Sequence, residues 1–248
     1  MSDKNTLDKL AFFLPNSFTA MNIGCGFVAI MLSIKGQFYM ACMVIGLGAI
    51  FDSVDGRVAR MTGTQSAFGE QFDSLSDLIS FGIAPSLIFY NRFFQEFGRL
   101  GMVVAFLFLL CGALRLARFN ANISKVSKEY FQGLPIPGAA SALIGYVLLS
   151  LDYGEILEMK PLCIGFIAVY SLLMISNIPF PSFKSSPWIR TNRKKVLFLI
   201  FIAAASLFIY EELMILFWIM AYTLGSLVFY SFNRGKFVDI FDWEDEKV

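Results

Sequence analysis

The sequence predicts an all-α integral membrane protein, with about eight transmembrane helices behind an N-terminal interfacial helix, and three observations carry that expectation. The first is composition: 57% of the 248 residues are hydrophobic, 16% are charged and the mean hydropathy is +0.66, too apolar for an ordinary water-soluble domain. The second is segmentation, because eight apolar stretches approach the roughly 20 residues that cross a hydrocarbon core about 30 Å thick. The third is the placement of charge, which falls between those stretches and mostly on one side. No polar stretch is long enough to bury a core of its own, so no separable soluble domain is expected.

Residues 1–16 set Leu7, Leu10, Phe12 and Phe13 among Lys4, Asp8 and Lys9, without the short apolar region and cleavage site of a removable signal peptide. They read as an interfacial helix lying on the membrane. The spans are placed at 18–34, 37–59, 71–90, 100–117, 138–151, 161–178, 196–210 and 213–232, the fifth and seventh being the shortest. With the N-terminus inside, sixteen Lys and Arg residues face inward, and only Lys35, Arg92, Arg99 and Lys160 face outward. The positive-inside rule therefore puts both termini in the cytoplasm. The basic run Arg190, Arg193, Lys194 and Lys195 fits this orientation, and the acidic tail 239–248 reads as a frayed or interfacial end.

Four cysteines, Cys25, Cys42, Cys111 and Cys163, are scattered through apolar segments without zinc or disulfide spacing and read as packing residues. Histidine is absent, which excludes histidine bases, histidine metal ligands and Ser-His-Asp triads. The informative feature is a group of aspartates, Asp52, Asp55, Asp73 and Asp77, at the junction of the second and third spans. A carboxylate in or near hydrocarbon costs roughly 2.5 to 3.5 kcal/mol on insertion scales, so four together call for compensating positive charge. Asp52 and Asp55 share one helix face and Asp73 and Asp77 another, and a short connection brings the faces together. Asp52 lies ~22 Å along its helix from Gln37, in the cytoplasmic third of the bilayer. Hard oxygen ligands suit Mg²⁺, Mn²⁺ or Ca²⁺. Gly56 leaves room for a ligand at the backbone, and Arg57 and Arg60 can reach phosphate oxygens.

Two other readings compete at this point. The acids could pair with Arg57 and Arg60 in a structural network, or line the pathway of an ion- or proton-coupled transporter. Transporter sites lie near the midplane in repeated halves; here the acids are off-centre and no matching second set exists.

The spacing Asp52-x2-Asp55-Gly56-x2-Ala59-Arg60-x8-Gly69-x3-Asp73-x3-Asp77 fixes eight residues over 26 positions. It resembles the signature of the CDP-alcohol phosphotransferase family, integral membrane enzymes with six core helices that move a phosphatidyl or related group from a CDP-linked donor to an alcohol and release CMP. The resemblance implies a six-helix membrane core at 17–184, preceded by the segment 1–16 and followed by two additional helices and the tail at 185–248. It further implies that Asp52, Asp55, Asp73 and Asp77 hold a pair of divalent cations, Mg²⁺ or Mn²⁺, with Asp77 also acting as base. Gly56, Arg60 and Ser66 would contact the donor's pyrophosphate and nucleotide. Two cations can clamp a diphosphate, and an aspartate base suits a chain without histidine.

Three further stretches bear on the acceptor alcohol. They are 14–22 before the first span, Arg115-Leu116-Ala117-Arg118-Phe119-Asn120 after the fourth, and Phe131-Gln132-Gly133-Leu134-Pro135-Ile136-Pro137 before the fifth. Together with Pro181-Ser182-Phe183-Lys184 they are similar to the phosphatidylserine synthase branch, which implies CDP-diacylglycerol as donor and L-serine as acceptor, with glycerol 3-phosphate or inositol phosphate as alternatives. Arg115, Arg118 and Asn120 sit where a guanidinium could pair with serine's carboxylate, or could serve as headgroup anchors. Asn16, Thr19 and Asn22 read either as hydrogen-bond partners of the cytidine or its ribose, or as caps (Asn16, Thr19) and an interhelical bond (Asn22). Phe217, Trp218, Tyr222 and Tyr230 read as lipid or helix contacts. A homodimer in the cytoplasmic (inner) membrane is expected, with the last two spans packing on the core or forming the oligomer contact, and no nucleic-acid partner.

Overall fold

The computed structural model describes residues 2–122, 130–182 and 192–233. Helix α1, Ser2–Ile34, ends where Gly36 adopts φ 74°, with Gln37 N donating to Leu32 O and Gly36 N to Ser33 O, each at 3.0 Å. That pattern satisfies the last carbonyls of the helix and reverses the chain tightly into α2, Phe38–Thr62. A second left-handed glycine, Gly63 at φ 67°, stops α2. Ser66 then caps α3, Ala67–Asp77, by accepting from Gly69 N at 3.1 Å.

The chain continues helically through a π turn, Leu78–Ile83, into α4, Ala84–Phe89, then through a second π turn, Tyr90–Phe94, and a 3₁₀ turn, Gln95–Phe97. Gly98, at φ 54°, bends it into α5, Gly98–Ala121. Strand β1, Tyr130–Gln132, precedes α6, Ile136–Asp152; α7, Gly154–Leu157, and α8, Lys160–Ile175, lead to β2, Pro179–Pro181. The last helices are α9, Arg193–Ile209, and α10, Glu211–Phe232.

Helix α6 is the axis of the bundle. Its residues are buried almost all round, Ala142, Leu143 and Leu148 completely, as expected of a helix apolar on every face. It is packed by α2, α4, α8 and α10, while α1 lies along α2 and α3 and α5 lies along α8. Small residues set these distances: a Cβ at Gly145 would lie 2.8 Å from Leu216 N, so the α6 and α10 backbones touch. Large apolar side chains such as Met31, Ile50, Phe106, Leu172 and Phe217 point outward and are exposed, which suits a hydrocarbon surround. Among the described residues, four helical stretches are long and apolar enough to cross a membrane, 13–34, 38–62, 67–121 and 212–232, with α6 and α8 as shorter apolar helices. The third stretch contains the turn at Gly98 and so holds two helices.

The chain is mostly helical, as expected of an all-α membrane protein, and adds one short strand pair that the sequence did not signal: β1 and β2 lie antiparallel with Phe131 opposite Phe180. Prolines at both ends of β2 cannot donate to a ladder, which keeps this sheet to two strands. Helix α1 runs through Pro15 without a break at residue 16. The capping roles of Asn16 and Thr19 fail for the same reason, as both lie inside α1. Phe183, Lys184, Arg190 and the tail 239–248 lie outside the described residues, as do the side chains of Lys4, Leu7, Asp8, Lys9, Leu10, Phe12 and Arg193.

The bundle has two polar ends. At one, Arg92 pairs with Glu158, and its guanidinium lies 5.7 Å from the Phe38 ring at the start of α2. Asp52 lies ~21 Å further along α2, at the other end. The packing yields a stability test. Gly145→Val should lower unfolding stability in detergent by about 1 to 3 kcal/mol through overpacking against α10. Gly46→Ala, where an added Cβ meets nothing within 4 Å, should leave stability unchanged or raise it by up to about 1 kcal/mol. Thermal melts of the two variants separate these outcomes.

Candidate active site

Helix periodicity places Asp52 and Asp55 on one face of α2, and Asp73 and Asp77 on one face of α3. The connection from Gly63 to Ser66 turns these faces toward each other. Ligand oxygens of Asp52, Asp55 and Asp73 all lie within 4.8 Å of one another. Asp77 adjoins the Asp52 carboxyl, and its Oδ1 is buried without a hydrogen-bond partner. Asp55 is buried and accepts from Thr19 Oγ1 at 2.7 Å, a bond that reaches across from α1.

Helix α1 is held against this cluster by serines. Ser76 Oγ donates to Thr19 O at 3.2 Å, and Ser80 Oγ donates to Asn22 O at 2.8 Å. Gly26 permits the approach, since a Cβ there would lie 2.8 Å from Ser80 Oγ. The π turn at Leu78–Ile83 begins directly after Asp77; such one-residue expansions shift the helix face and recur at functional sites. An exclusively carboxylate donor set with a buried, unsatisfied oxygen fits a hard divalent cation. Arg60 and Arg115 are the basic groups whose charges act on Asp55 and Asp77 respectively.

Beside the aspartates opens a cleft of about 250 Å³. Its walls bring together Asn16, Thr19, Asp55, Gly56, Arg60, Ser66, Asp73 and Asn120 from α1, α2, α3 and α5. Thr64, Gln65, Glu70, Ser74 and Phe119 complete it and were not singled out by sequence. Glu70 and Ser74 lie within the aspartate spacing, which is the signal that could have found them. Ser74 Oγ accepts from Asn120 Nδ2 at 2.9 Å, tying α5 to the cluster beside Asp73.

Other sequence-selected residues stand behind the cleft. Asn22 is fully buried next to Gly48, and neither amide atom of its side chain has a hydrogen-bond partner. The expected interhelical bond is therefore made by its main-chain oxygen, not its side chain. Arg115 is buried, with its guanidinium 5.4 Å from the Phe119 ring. Arg118 is turned toward main-chain carbonyls of Gln132, Met174, Ile175 and Ser176, so neither arginine is a simple headgroup anchor. Both arginines line, with Phe119, Phe131 and Gln132, a separate crevice of about 10 Å³, room for one water. Phe119 is common to cleft and crevice.

Of the late aromatics, Tyr222 joins α10 to the sheet by donating to Pro181 O at 3.2 Å, and Trp218 Nε1 donates to Ser206 Oγ at 3.0 Å, so these two are helix contacts.

Known proteins are similar to this chain in sequence. A CDP-diacylglycerol–serine O-phosphatidyltransferase of Helicobacter pylori is 45% identical over 179 residues, covering 71% of this chain and 75% of that protein. The protein of the same name from Methanocaldococcus jannaschii is 42% identical over 171 residues, 69% of this chain and 75% of its own. An archaetidylserine synthase of Methanothermobacter thermautotrophicus is 40% identical over 184 residues, 73% and 74% of the two chains. Residues 12–180, which hold every candidate residue of the cleft and the cluster, match the family described as CDP-alcohol phosphatidyltransferase, and the chain belongs to that family.

Proposed function

We propose that this protein is a CDP-diacylglycerol–serine O-phosphatidyltransferase, joining the phosphatidyl group of CDP-diacylglycerol to the hydroxyl of L-serine and releasing CMP. The observation that carries the reading is the cluster of three carboxylates within 4.8 Å of one another, opening on a cleft lined by Gly56, Arg60 and Ser66. The names of the relatives in the two Helicobacter and Methanocaldococcus species support serine as the acceptor.

When bound, two divalent cations, Mg²⁺ or Mn²⁺, supply positive charge that offsets the diphosphate and the developing charge on the leaving group. The protein's own residues do the rest. Asp52, Asp55 and Asp73 hold the cations, and the Thr19 hydroxyl fixes the Asp55 carboxylate through its 2.7 Å bond. Gly56, with no side chain in the cleft, lets a phosphate approach the backbone, while Arg60 pairs with phosphate oxygens and Ser66 donates its hydroxyl to the donor. Asn16 and Thr19 face the nucleotide, and Asn22 serves behind them as a buried spacer.

Asp77 takes the proton of the serine hydroxyl as that oxygen bonds to the lipid-linked phosphorus. The bond from this phosphorus to the bridging oxygen breaks, and the electron pair leaves with CMP. Direct displacement suits a site without an activated serine or cysteine nucleophile. Arg115 pairs with serine's carboxylate once the Phe119 ring moves aside, and Asn120 supports the acceptor from the cleft wall.

The wider reading has eight spans, with 17–184 as catalytic core, 1–16 at the interface and 185–248 as an addition. The site and both termini face the cytoplasm at the inner membrane, and the protein is a homodimer. Positive charge bias supports this orientation.

Three outcomes are expected. Mn²⁺ or Mg²⁺ at about 100 times its dissociation constant should stabilise the purified protein by about 2.7 kcal/mol, a thermal shift that Asp73→Asn removes; wild-type protein without a shift contradicts the cation site. In a CMP-release assay run with serine, glycerol 3-phosphate and inositol phosphate, serine should be the acceptor used. Asp77→Asn should stay folded and bind CDP-diacylglycerol while losing about 10² to 10⁴ in turnover. Full turnover by that variant removes Asp77 from the base role.

A further inference from the structure

Arg118, half-buried at the end of α5, is turned toward β1 and the end of α8. Its guanidinium donates to Ile175 O at 3.0 Å, Ser176 O at 3.2 Å and Met174 O at 3.3 Å, the last carbonyls of α8 and its cap. It also donates to Gln132 O at 3.0 Å, in β1, and to Asn177 Oδ1 at 3.3 Å. The terminal carbonyls of a helix lack intrahelical partners, and a planar fork with five donors can gather several at once where an ammonium cannot.

Independent contacts seat β1 on the same spot. Gly133 has φ 76°, and a Cβ there would lie 2.3 Å from Met174 O, 2.9 Å from Ser176 O and 3.0 Å from Arg118 Nη2. Gly133 N donates to Ile178 O at 2.9 Å, and Gln132 Nε2 to Asn177 Oδ1 at 3.0 Å. β1 is thus fastened to the end of α8, with Arg118 at the junction. The fastened segment matters because Phe131 and Gln132 line the same crevice as Arg115, with Arg118 at its edge but its donors committed to the carbonyls of β1 and α8.

We propose that Arg118 is a positioning residue for the acceptor: it locks β1 to the C-terminus of α8 and so sets the depth at which Arg115 meets an acceptor carboxylate, without touching the acceptor itself. This rests on the serine-transfer reading of the site. It reassigns Arg118 from the serine-binding role expected from sequence, because that guanidinium is already turned to the carbonyls of β1 and α8.

The test uses purified full-length protein and steady-state CMP release, with serine and serinamide as acceptors. Arg118→Lys keeps the charge and loses the fork. It should raise the KM for serine about tenfold or more, as a small misplacement does, with kcat and the KM for CDP-diacylglycerol changed by less than about threefold. Its preference for serine over serinamide should stay at the wild-type value, whereas Arg115→Lys should collapse that preference. Gly133→Ala, which pushes β1 off α8 with Arg118 intact, should reproduce the KM effect and serves as the second variant should Arg118→Lys not fold. Loss of the serine preference in Arg118→Lys overturns the proposal in favour of direct carboxylate binding. A lower melting temperature with an unchanged serine KM in both variants overturns it in favour of a purely structural clamp. If the wild-type protein uses glycerol 3-phosphate and not serine, the serine reading alone fails, and the same comparison is read with glycerol 3-phosphate against glycerol.

Discussion

Three carboxylates whose oxygens lie within 4.8 Å of one another repel by roughly 3 kcal/mol per pair at an effective dielectric of about 20. A fourth, Asp77, adjoins them and has an oxygen buried without a partner. The surrounding helices must hold these groups together against that repulsion until positive charge arrives, and much of the local architecture follows from this requirement. Serines rather than cations do the holding on the α1 side. Ser76 and Ser80 fasten α3 and its π turn to α1 through main-chain oxygens, and Thr19 binds Asp55 directly. Glycines at 26 and 48 make the approach possible, since side chains there would strike Ser80 and Asn22. The polar groups that fasten α1 to the cluster are therefore neutral, and Arg60 and Arg115 are the charged groups of the chain that act on its carboxylates.

In the proposed function the two substrates are separated in space. The cleft of about 250 Å³ gathers α1, α2 and α3 residues suited to a nucleotide diphosphate, and α5 contributes Phe119 and Asn120 on its far wall. Behind Phe119 lie Arg115 and the clamp formed by Arg118, β1 and the end of α8. On the proposed reading, donor recognition would draw on the first three helices, and acceptor recognition on α5 and the two-stranded sheet.

Much of this was legible in the sequence. The spacing of Asp52, Asp55, Asp73 and Asp77 dictates two helix faces across a short connection, and those faces meet as expected. The Phe131 to Pro137 stretch was recognised as relevant, but its role was hidden, because pairing of Phe131 with Phe180 joins residues some 50 positions apart with no local signal. The partners of Arg118 were hidden for the same reason: those at 132 and 174–177 are set by tertiary packing, and a basic residue at a helix end suits a lipid headgroup, a substrate or a carbonyl cluster equally well. Asn16 and Thr19 resembled caps because Asn and Thr are favoured at helix N-caps, yet α1 continues through both. Burial of Asn22 beside Gly48 depends on the α1 and α2 crossing, which no periodicity specifies.

The central claim is that the aspartates exist to hold divalent cations for the diphosphate. It is tested most directly by crystals of the protein grown with Mn²⁺ and CDP and measured at the manganese absorption edge. The account predicts two anomalous peaks per chain, each about 2.0 to 2.3 Å from carboxylate oxygens of the cluster formed by Asp52, Asp55, Asp73 and Asp77. Ordered CDP in the cleft with no anomalous peak at those carboxylates would contradict it.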